Sequence, residues 1–451
     1  MRTHAVAIVG SGPSGFYAAG ALLDSEDPPV RVDMFDRLAT PWGLVRAGVA
    51  PDHPKIKSVS NQYEKIAARP GFRFFGHVEL GRDVTREELL ERYDAVLYAV
   101  GSQTERRLGI PGEDLPGSLA SVDFVGWYNG HPDHVGLEPD LSSERAVVIG
   151  NGNVALDVAR MLLLPESDLR ATDTADHAVE ALCASSVREV VVCGRRGAAQ
   201  AAFTTTELRE LDDIDDLAIV VDPAQVPAGI DDDDTLTKGT RRNMEILRRW
   251  AEAGPDPDRK NRMEFRFLRS PVELRGDGRV EEIVLGVNRL ETGEDGRVRA
   301  VDTGERETVA TGLVLRAIGY KGVALPGLPF DDDRGTVPHT EGRVTGHDRE
   351  YVVGWIKRGP TGIIGTNRKD ANETVRHVLA DLAAEPGRGP ATLPSPEEIE
   401  EWLRSRCPDL VDQQGWEAID AHERGQGDPS GRPRVKIVDR DELAALARQQ
   451  R

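Results

Sequence analysis

The chain has 451 residues, 39% of them hydrophobic and 30% charged, with a formal net charge of −20. That length exceeds one compact core and predicts two or three domains. The acidic balance argues against a general binder of nucleic acid or of acidic membranes, while leaving room for a local basic face.

Residues 4–23, HAVAIVGSGPSGFYAAGALL, read as strand, glycine turn and helix, and 30–36, VRVDMFD, as a second short strand. Residues 41–57 form a Pro/Gly-rich loop, and a helix follows to about residue 68. Residues 94–102, DAVLYAVGS, are another buried-strand pattern ending in glycine. The pattern restarts at 144–163, ERAVVIGNGNVALDVARMLL, as a second strand–glycine–helix unit. A polar insertion with helical stretches, which has to loop out between residues 165 and 186, precedes the strand of 187–197, VREVVVCGRRG. A basic amphipathic helix is predicted over 237–252, an antiparallel meander over about 262–300, and a strand over 313–320. Residues 350–382 read as strand, loop and long helix, and the tail after 385 as helical pieces in a Pro- and charge-rich setting. The acidic runs 212–216 and 231–234 read as solvated loops or helix starts. Alternating strand and helix, twice started, predicts an α/β chain with two parallel sheets. The return to a strand–helix unit after residue 350 predicts that one domain interrupts the other.

The three cysteines, Cys183, Cys193 and Cys407, make no Cys-x-x-Cys pair. No disulfide framework, zinc site, iron–sulfur cluster or redox dithiol is therefore expected, and a reducing cytoplasm is the expected compartment. Cys193, among valines, reads as buried filler rather than a nucleophile. Residues 1–10 lack the apolar region of a signal peptide, and no apolar stretch approaches the length of a membrane span.

Gly10, Gly12 and Gly15 follow a strand and open a helix, the context that gives a G-x-G-x-x-G match weight. The first glycine permits the turn, the second lets a pyrophosphate approach the backbone, and the third lets helix and strand pack closely. Asp36 ends the next strand, where an acid binds adenosine ribose hydroxyls and repels a 2′-phosphate; this cradle fits FAD or NAD, not NADP. The second cradle is Gly150, Gly152 and Ala155, with alanine as a tolerated third residue. At its next strand end stand Arg195 and Arg196, whose guanidiniums suit the forked, charge-assisted recognition of a 2′-phosphate. The second cradle therefore favours NADPH over NADH, although the spacing exceeds the usual interval of about 20 residues. Two cradles of opposite selectivity predict a flavin-linked oxidoreductase that converts between two-electron and one-electron carriers.

GSGPSGFYAA, TPWGLVRAGVAPDHPKIK, AVDFVGWYNGHP, VVIGNGNVALDVAR, CGRRG, AFTTTELREL and GWIKRGPTGIIGTNRKDA together resemble the adrenodoxin-reductase-type NADPH:ferredoxin reductases, the actinobacterial members above all. The resemblance runs from residue 4 to about 436. It implies an α/β fold of two Rossmann-like dinucleotide-binding domains, with the NADP domain (106–318) inserted into an FAD domain made of 1–105 and 319–451. It implies electron flow from NADPH through FAD to a ferredoxin. Carried over by residue, Gly15, Asp36, Leu44 and Val78 contact FAD near its pyrophosphate, ribose or adenine, and Trp355 lies against the flavin. Gly362, Ile363 and Ile364 present backbone to its pyrimidine edge. Arg106, Asn151, Gly152, Asn153, Val154, Arg195, Arg196 and Glu207 bind NADP. Asp36 departs from the glutamate usual in the family, and the cysteine clusters of members with an extra iron–sulfur domain are absent.

Within that frame, Gly362 heads the long helix, with Pro360 at its start, and the helix N-terminus suits negative charge on a reduced flavin. His53 and Glu210 are the candidate catalytic pair, relaying protons or positioning the nicotinamide. Trp355 either meets the flavin or fills core beneath it. Arg209, Arg241, Arg242, Arg248 and Arg249 form either a docking face for an acidic ferredoxin or a charge-balanced solvated helix. A monomer is expected. A flavin monooxygenase or NADPH diaphorase shares both cradles and is the alternative activity; a non-catalytic NADP(H)-sensing module is another.

Overall fold

The computed structural model describes residues 2–226, 236–362, 364–384 and 389–449. The chain divides into two compact units, Met1–Thr104 with Gly319–Arg451 and Glu105–Ile318. The first segment carries β1 (His4–Val9), α1 (Pro13–Leu23), β2 (Val30–Phe35), β3 (Phe72–Gly76) and β4 (Ala95–Tyr98). The second unit carries β5 (Ser118–Ala120), β6 (Arg145–Ile149), α2 (Asn153–Leu163), β7 (Glu189–Gly194), α3 (Thr205–Glu210), β8 (Leu217–Val221) and α4 (Lys238–Ala253). It continues through β9 (Asn261–Phe267), β10 (Arg269–Arg275), β11 (Glu282–Thr292), β12 (Val298–Ala310) and β13 (Leu313–Arg316). The chain then returns to the first unit with β14 (Glu350–Val352), α5 (Ile364–Ala384) and α6 (Gln413–Gly427).

In the first unit, β14, β4, β1, β2 and β3 lie side by side in that order, all parallel. Short antiparallel pieces close both edges. Because β14 pairs with β4, neither chain segment completes the sheet alone. Successive side chains of a strand face opposite sides, and β1 shows it: Val6 and Ile8 enter one core, Ala5, Ala7 and Val9 another. Helices cover both faces, which is why the strands read as unbroken apolar runs.

The second unit has a parallel sheet in the order β5, β13, β6, β7, β9, β8. One face packs on helices. The other is covered by the antiparallel sheet β10–β11–β12, through Leu274, Ile283, Leu285 and Val309. Residues 261–267 were expected to open that meander. They instead form β9 of the parallel sheet, paired with β7, because Met263, Phe265 and Phe267 are buried on one side while Glu264 and Arg266 neutralise each other on the other.

The insertion between 165 and 186 does not loop out. It folds as two short helices, Glu166–Arg170 and Asp176–Cys183, whose Leu169, Ala178 and Leu182 join the core. The acidic run at 212–216 is not simply solvated either: Asp212 accepts from Trp250 Nε1 at 2.8 Å and pairs with Arg249, anchoring α4. The run at 231–234 lies outside the described residues. Cys193 is buried as expected, and burial pushes its thiol up to about 12. Among the described residues no helix is long and apolar enough to cross a membrane.

Candidate functional site

In the first unit the chain leaves β1 at Val9 and enters α1 at Pro13. Gly10 makes the turn at φ +105°, where a Cβ would stand 2.5 Å from Ala99 O, and a Cβ on Gly15 would stand 2.2 Å from Gly10 O. Both glycines are required by the protein itself. Gly12 is not. Its φ of −77° suits any residue, and a Cβ there meets nothing within 4 Å. It caps α1 without a side-chain hydrogen bond, so the helix N-terminus is left open to an anion. Such open space beside backbone is what the approach of a dinucleotide pyrophosphate requires, so the residues fit the cofactor.

Asp36, expected at the ribose, is braced on the turn. Its Oδ2 accepts from Ser11 N at 2.9 Å and Ser11 Oγ at 2.5 Å, and its Oδ1 from Leu38 N at 2.9 Å. A carboxylate has about four acceptor positions, so one remains for a ribose hydroxyl. Val78 is buried and donates its N–H to Asp36 O at 2.9 Å. Half-buried Leu44 opens a single helical turn, Leu44–Ala47. The preceding Trp42 has a φ of +83° and donates its N–H to Ser11 O at 2.9 Å, so this loop lies directly on the glycine turn.

The returning segment contributes the Trp355 turn. A Cβ on Gly354 would stand 2.1 Å from Ser14 Oγ, so the turn presses on the start of α1. Asp370 of α5 pins it by accepting Gly354 N at 2.5 Å and pairing with Lys357 at 2.9 Å. The Trp355 ring lies 5.4 Å from that of Tyr320, and its buried indole Nε1 has no partner among the described residues. Gly362 is exposed at φ +83°, two residues before α5 starts at Ile364. Pro360 was expected at the helix start; it stands four residues before it, because positive φ at Gly359 and Gly362 keeps the chain out of the helix. Ile363 lies outside the described residues. His53 is buried and precedes the short turn Pro54–Lys57.

The second unit repeats the cradle. Gly150 has φ +131°, with a would-be Cβ 2.1 Å from Ala317 O. Gly152 has φ −100°, nothing within 4 Å of a would-be Cβ, and caps α2 without a side-chain hydrogen bond. Ala155, in the third position, is fully buried. Asn151 O accepts from Ala202 N at 2.9 Å and Phe203 N at 3.2 Å, and Asn153 Oδ1 from Thr204 N at 2.8 Å. The segment at 202–204 thus braces the turn; Val154 is half-buried beside it. Arg195 is exposed and Arg196 half-buried at the end of β7, and neither guanidinium has a carboxylate partner among the described residues. Their backbone is nevertheless fixed: Asn288 Nδ2 donates to Arg195 O at 2.9 Å and Leu268 N to Arg196 O at 3.0 Å. Arg106 is exposed.

Glu207 is buried in α3, 3.4 Å from Arg160 of α2, which also pairs with Asp157 at 2.8 Å and lies 4.0 Å from Glu210. Arg160 is only 2% exposed; an Asp–Arg pair three residues apart inside a helix was visible in the sequence, but its depth was not. Of the five arginines read as a basic face, Arg209 and Arg242 are exposed, Arg241 and Arg248 are half-buried, and Arg249 is taken by Asp212.

Glu105 opens the second unit and was not singled out from the sequence. It accepts from Ser121 N at 2.8 Å, Ser121 Oγ at 3.1 Å and Ile318 N at 3.0 Å, so it ties together the two ends of the unit. Burial pushes its carboxyl up to about 7 against those hydrogen bonds. A raised folded value means that the unfolded chain ionises first, so stability falls as pH rises from about 4.5 towards 7. Denaturant midpoints across that range are expected to show this slope in the native protein and to lose it in Glu105→Gln.

Two βαβ cradles, one ending in an acid and one in an arginine pair, define a two-dinucleotide oxidoreductase. A family model described as pyridine nucleotide-disulphide oxidoreductase matches residues 4–192. Cys183, Cys193 and Cys407 are all free. The NADPH-ferredoxin reductase FprA of Mycobacterium tuberculosis is 55% identical over 99% of both chains. Human mitochondrial NADPH:adrenodoxin oxidoreductase is 42% identical over 99% of this chain and 92% of its own. The structure of Mycobacterium tuberculosis FprA in complex with NADPH superposes with a TM-score of 0.96 at 54% identity, covering 99% of this chain and all of that one. The chain belongs to the NADPH-ferredoxin/adrenodoxin reductase family, whose cofactors are FAD and NADP(H).

Proposed function

We infer that the protein is an FAD-dependent NADPH:ferredoxin oxidoreductase of this family. The observation that carries the reading is the pair Gly12 and Gly152: both have ordinary φ and open space where a side chain would sit, so glycine serves an approaching ligand and not the fold. FAD supplies the conversion between the two-electron donor NADPH and a one-electron acceptor.

In this assignment the first unit is the FAD domain. Gly10, Gly12 and Gly15 shape the pyrophosphate turn, Asp36 and Val78 border the adenosine, Leu44 flanks the turn, and Trp355, Gly362, Ile363 and Ile364 border the flavin. The unpartnered Trp355 Nε1 supports a ligand beside that ring. The second unit is the NADP domain. Gly150, Asn151, Gly152, Asn153 and Val154 hold the pyrophosphate, Arg195 and Arg196 the 2′-phosphate, and Arg106 and Glu207 the remainder. The resemblance supports His53 and Glu210 as the residues that handle protons or position the nicotinamide.

The partner is a ferredoxin, met as a monomer in the cytoplasm. Exposed Arg209 and Arg242 support an acidic partner on a chain that is otherwise acidic. Charge reversal at both is expected to slow ferredoxin reduction roughly tenfold at low salt, less at high salt, with ferricyanide reduction unchanged. Arg241 is half-buried, so its reversal is expected to perturb α4 as well.

The decisive experiment is a stopped-flow titration of the purified protein with NADPH and then with ferredoxin. The expected result is a yellow protein that NADPH bleaches and oxidised ferredoxin restores. Restoration by oxygen or by a small organic acceptor, and not by ferredoxin, would establish a monooxygenase or diaphorase instead. A colourless protein would leave only a nucleotide sensor.

A further inference from the structure

The loop that lies on the FAD cradle is held by more than its own helical turn. Trp42 sits in the left-handed region at φ +83°, which a bulky residue adopts only when its surroundings impose it. A Cβ on the following Gly43 would stand 2.9 Å from Gly12 Cα, so a small displacement of this loop changes the space beside the pyrophosphate turn.

Beyond the Trp42 N–H bond to Ser11 O, the side-chain contacts that impose that geometry come from the C-terminal tail. The Trp42 ring meets Trp416 of α6 edge-on at 4.9 Å, and the Arg434 guanidinium lies over it at 5.5 Å. Four residues beyond Trp42, Arg46 makes a forked pair with Glu423 of α6, Nη1 to Oε2 at 2.8 Å and Nη2 to Oε1 at 2.6 Å. Glu423 also accepts from Arg434 Nη1 at 3.1 Å and from Ile437 N at 2.9 Å, and Lys436 Nζ donates to Arg46 O at 3.3 Å. Arg434 is balanced by Asp420 at 2.6 Å. Glu423 is 0% exposed and Arg46 9%. Burial pushes the Glu423 carboxyl up, but the Arg46 and Arg434 guanidiniums prevail and hold it below its usual range. A carboxylate with four donors in a dry site fixes direction far better than an exposed pair does.

We propose that Glu423 is a positioning residue for FAD: acting through Arg46, and with Trp416 and Arg434 behind Trp42, it holds the loop at 41–47 against the glycine turn and so governs how tightly the cofactor is retained. The proposal rests on the first cradle being the FAD site. It makes the tail, which lies 377 residues from Arg46 along the chain, the outer wall of that site.

A buried ion pair that merely stabilised the unit would lower the melting temperature without singling out the cofactor. The test therefore compares Glu423→Gln with Glu350→Gln, since Glu350 is an equally buried carboxylate of the same unit, forked by Arg86 and not by the loop. Both holoproteins are diluted into mild chaotrope, and release is followed by the rise in free-flavin fluorescence. Amide hydrogen exchange over residues 42–47 is measured in the two holoproteins before dilution. The expected result is FAD release at least tenfold faster in Glu423→Gln than in Glu350→Gln at comparable melting temperature, with exchange protection at 42–47 lost only in the former. Trp416→Phe, a milder change in the same contact, is expected to shift both readouts in the same direction and gives the answer if Glu423→Gln fails to fold. Equal release from the two glutamine variants, or unchanged protection at 42–47, would overturn the positioning role alone. A native protein that binds FAD equally well after Gly12→Val would overturn the cradle assignment on which it rests.

Discussion

Replacing Arg195 and Arg196 together by leucine is expected to raise the KM for NADPH about a hundredfold while leaving that for NADH within about twofold. The two guanidiniums stand at the end of β7 without a carboxylate partner among the described residues. Their loss therefore breaks no ion pair of the protein. What it removes is the charge proposed to meet a 2′-phosphate. A hydrogen bond to a charged group is worth about 1.5–3 kcal/mol, and two at the lower end give about 3 kcal/mol, or roughly two powers of ten. Steady-state kinetics with both nucleotides and ferricyanide as acceptor make the measurement. Equal changes in the two constants would reject the 2′-phosphate role and point to a general disturbance of the second cradle.

A methyl group at the open glycines is expected to separate the two cradles. Gly12→Ala and Gly152→Ala place a Cβ where nothing lies within 4 Å, on backbone at φ −77° and −100°. The cost to the fold is confined to the few tenths of a kcal/mol typical of such surface changes, so apoprotein stability stays near that of the native chain. Ligand affinity does not, because the methyl occupies the space that a pyrophosphate needs. Gly12→Ala is expected to weaken FAD binding at least tenfold with the NADP+ affinity of the protein preserved. Gly152→Ala is expected to keep its flavin and raise the NADPH KM at least tenfold. Flavin content after gel filtration and NADP+ titration by calorimetry read the two effects. Gly10→Ala is the contrasting case: φ +105° and a Cβ 2.5 Å from Ala99 O leave no room even without ligand, and that variant is expected to lose the fold of the unit.

The two cradles were legible because each is local. A strand, three small residues at fixed offsets and a helix fall within short stretches of chain, and their geometry follows from backbone rules. The long distance from Gly150 to Arg195 was no obstacle, since the intervening residues fold into two helices that pack on the core and leave β6 and β7 adjacent. Less was legible where burial depends on distant segments. β9 read as part of a meander because its alternation of apolar and charged residues suits an antiparallel strand with one wet face. The ion pair of Glu264 with Arg266, with Glu307 3.9 Å from the same guanidinium, lets that face sit inside the unit. Asp212 and Arg249 read as members of opposite charge runs, and the fold makes them one pair.

The sequence by itself determined the class of fold, the two strand–glycine–helix turns and the opposite charges that follow the next strands, because the turns depend on residues close together in the chain and on the conformational limits of glycine, and the charges close apolar strand patterns that can be read wherever they fall. Only the tertiary structure decided what holds them in place. Asp36 is bound to Ser11, Glu105 joins the ends of the second unit, and Glu423 of the tail grips Arg46 beside the first cradle. Such contacts depend on which segments the cores bring together, and a buried carboxylate chooses its partner by desolvation and proximity, which no spacing along the chain records.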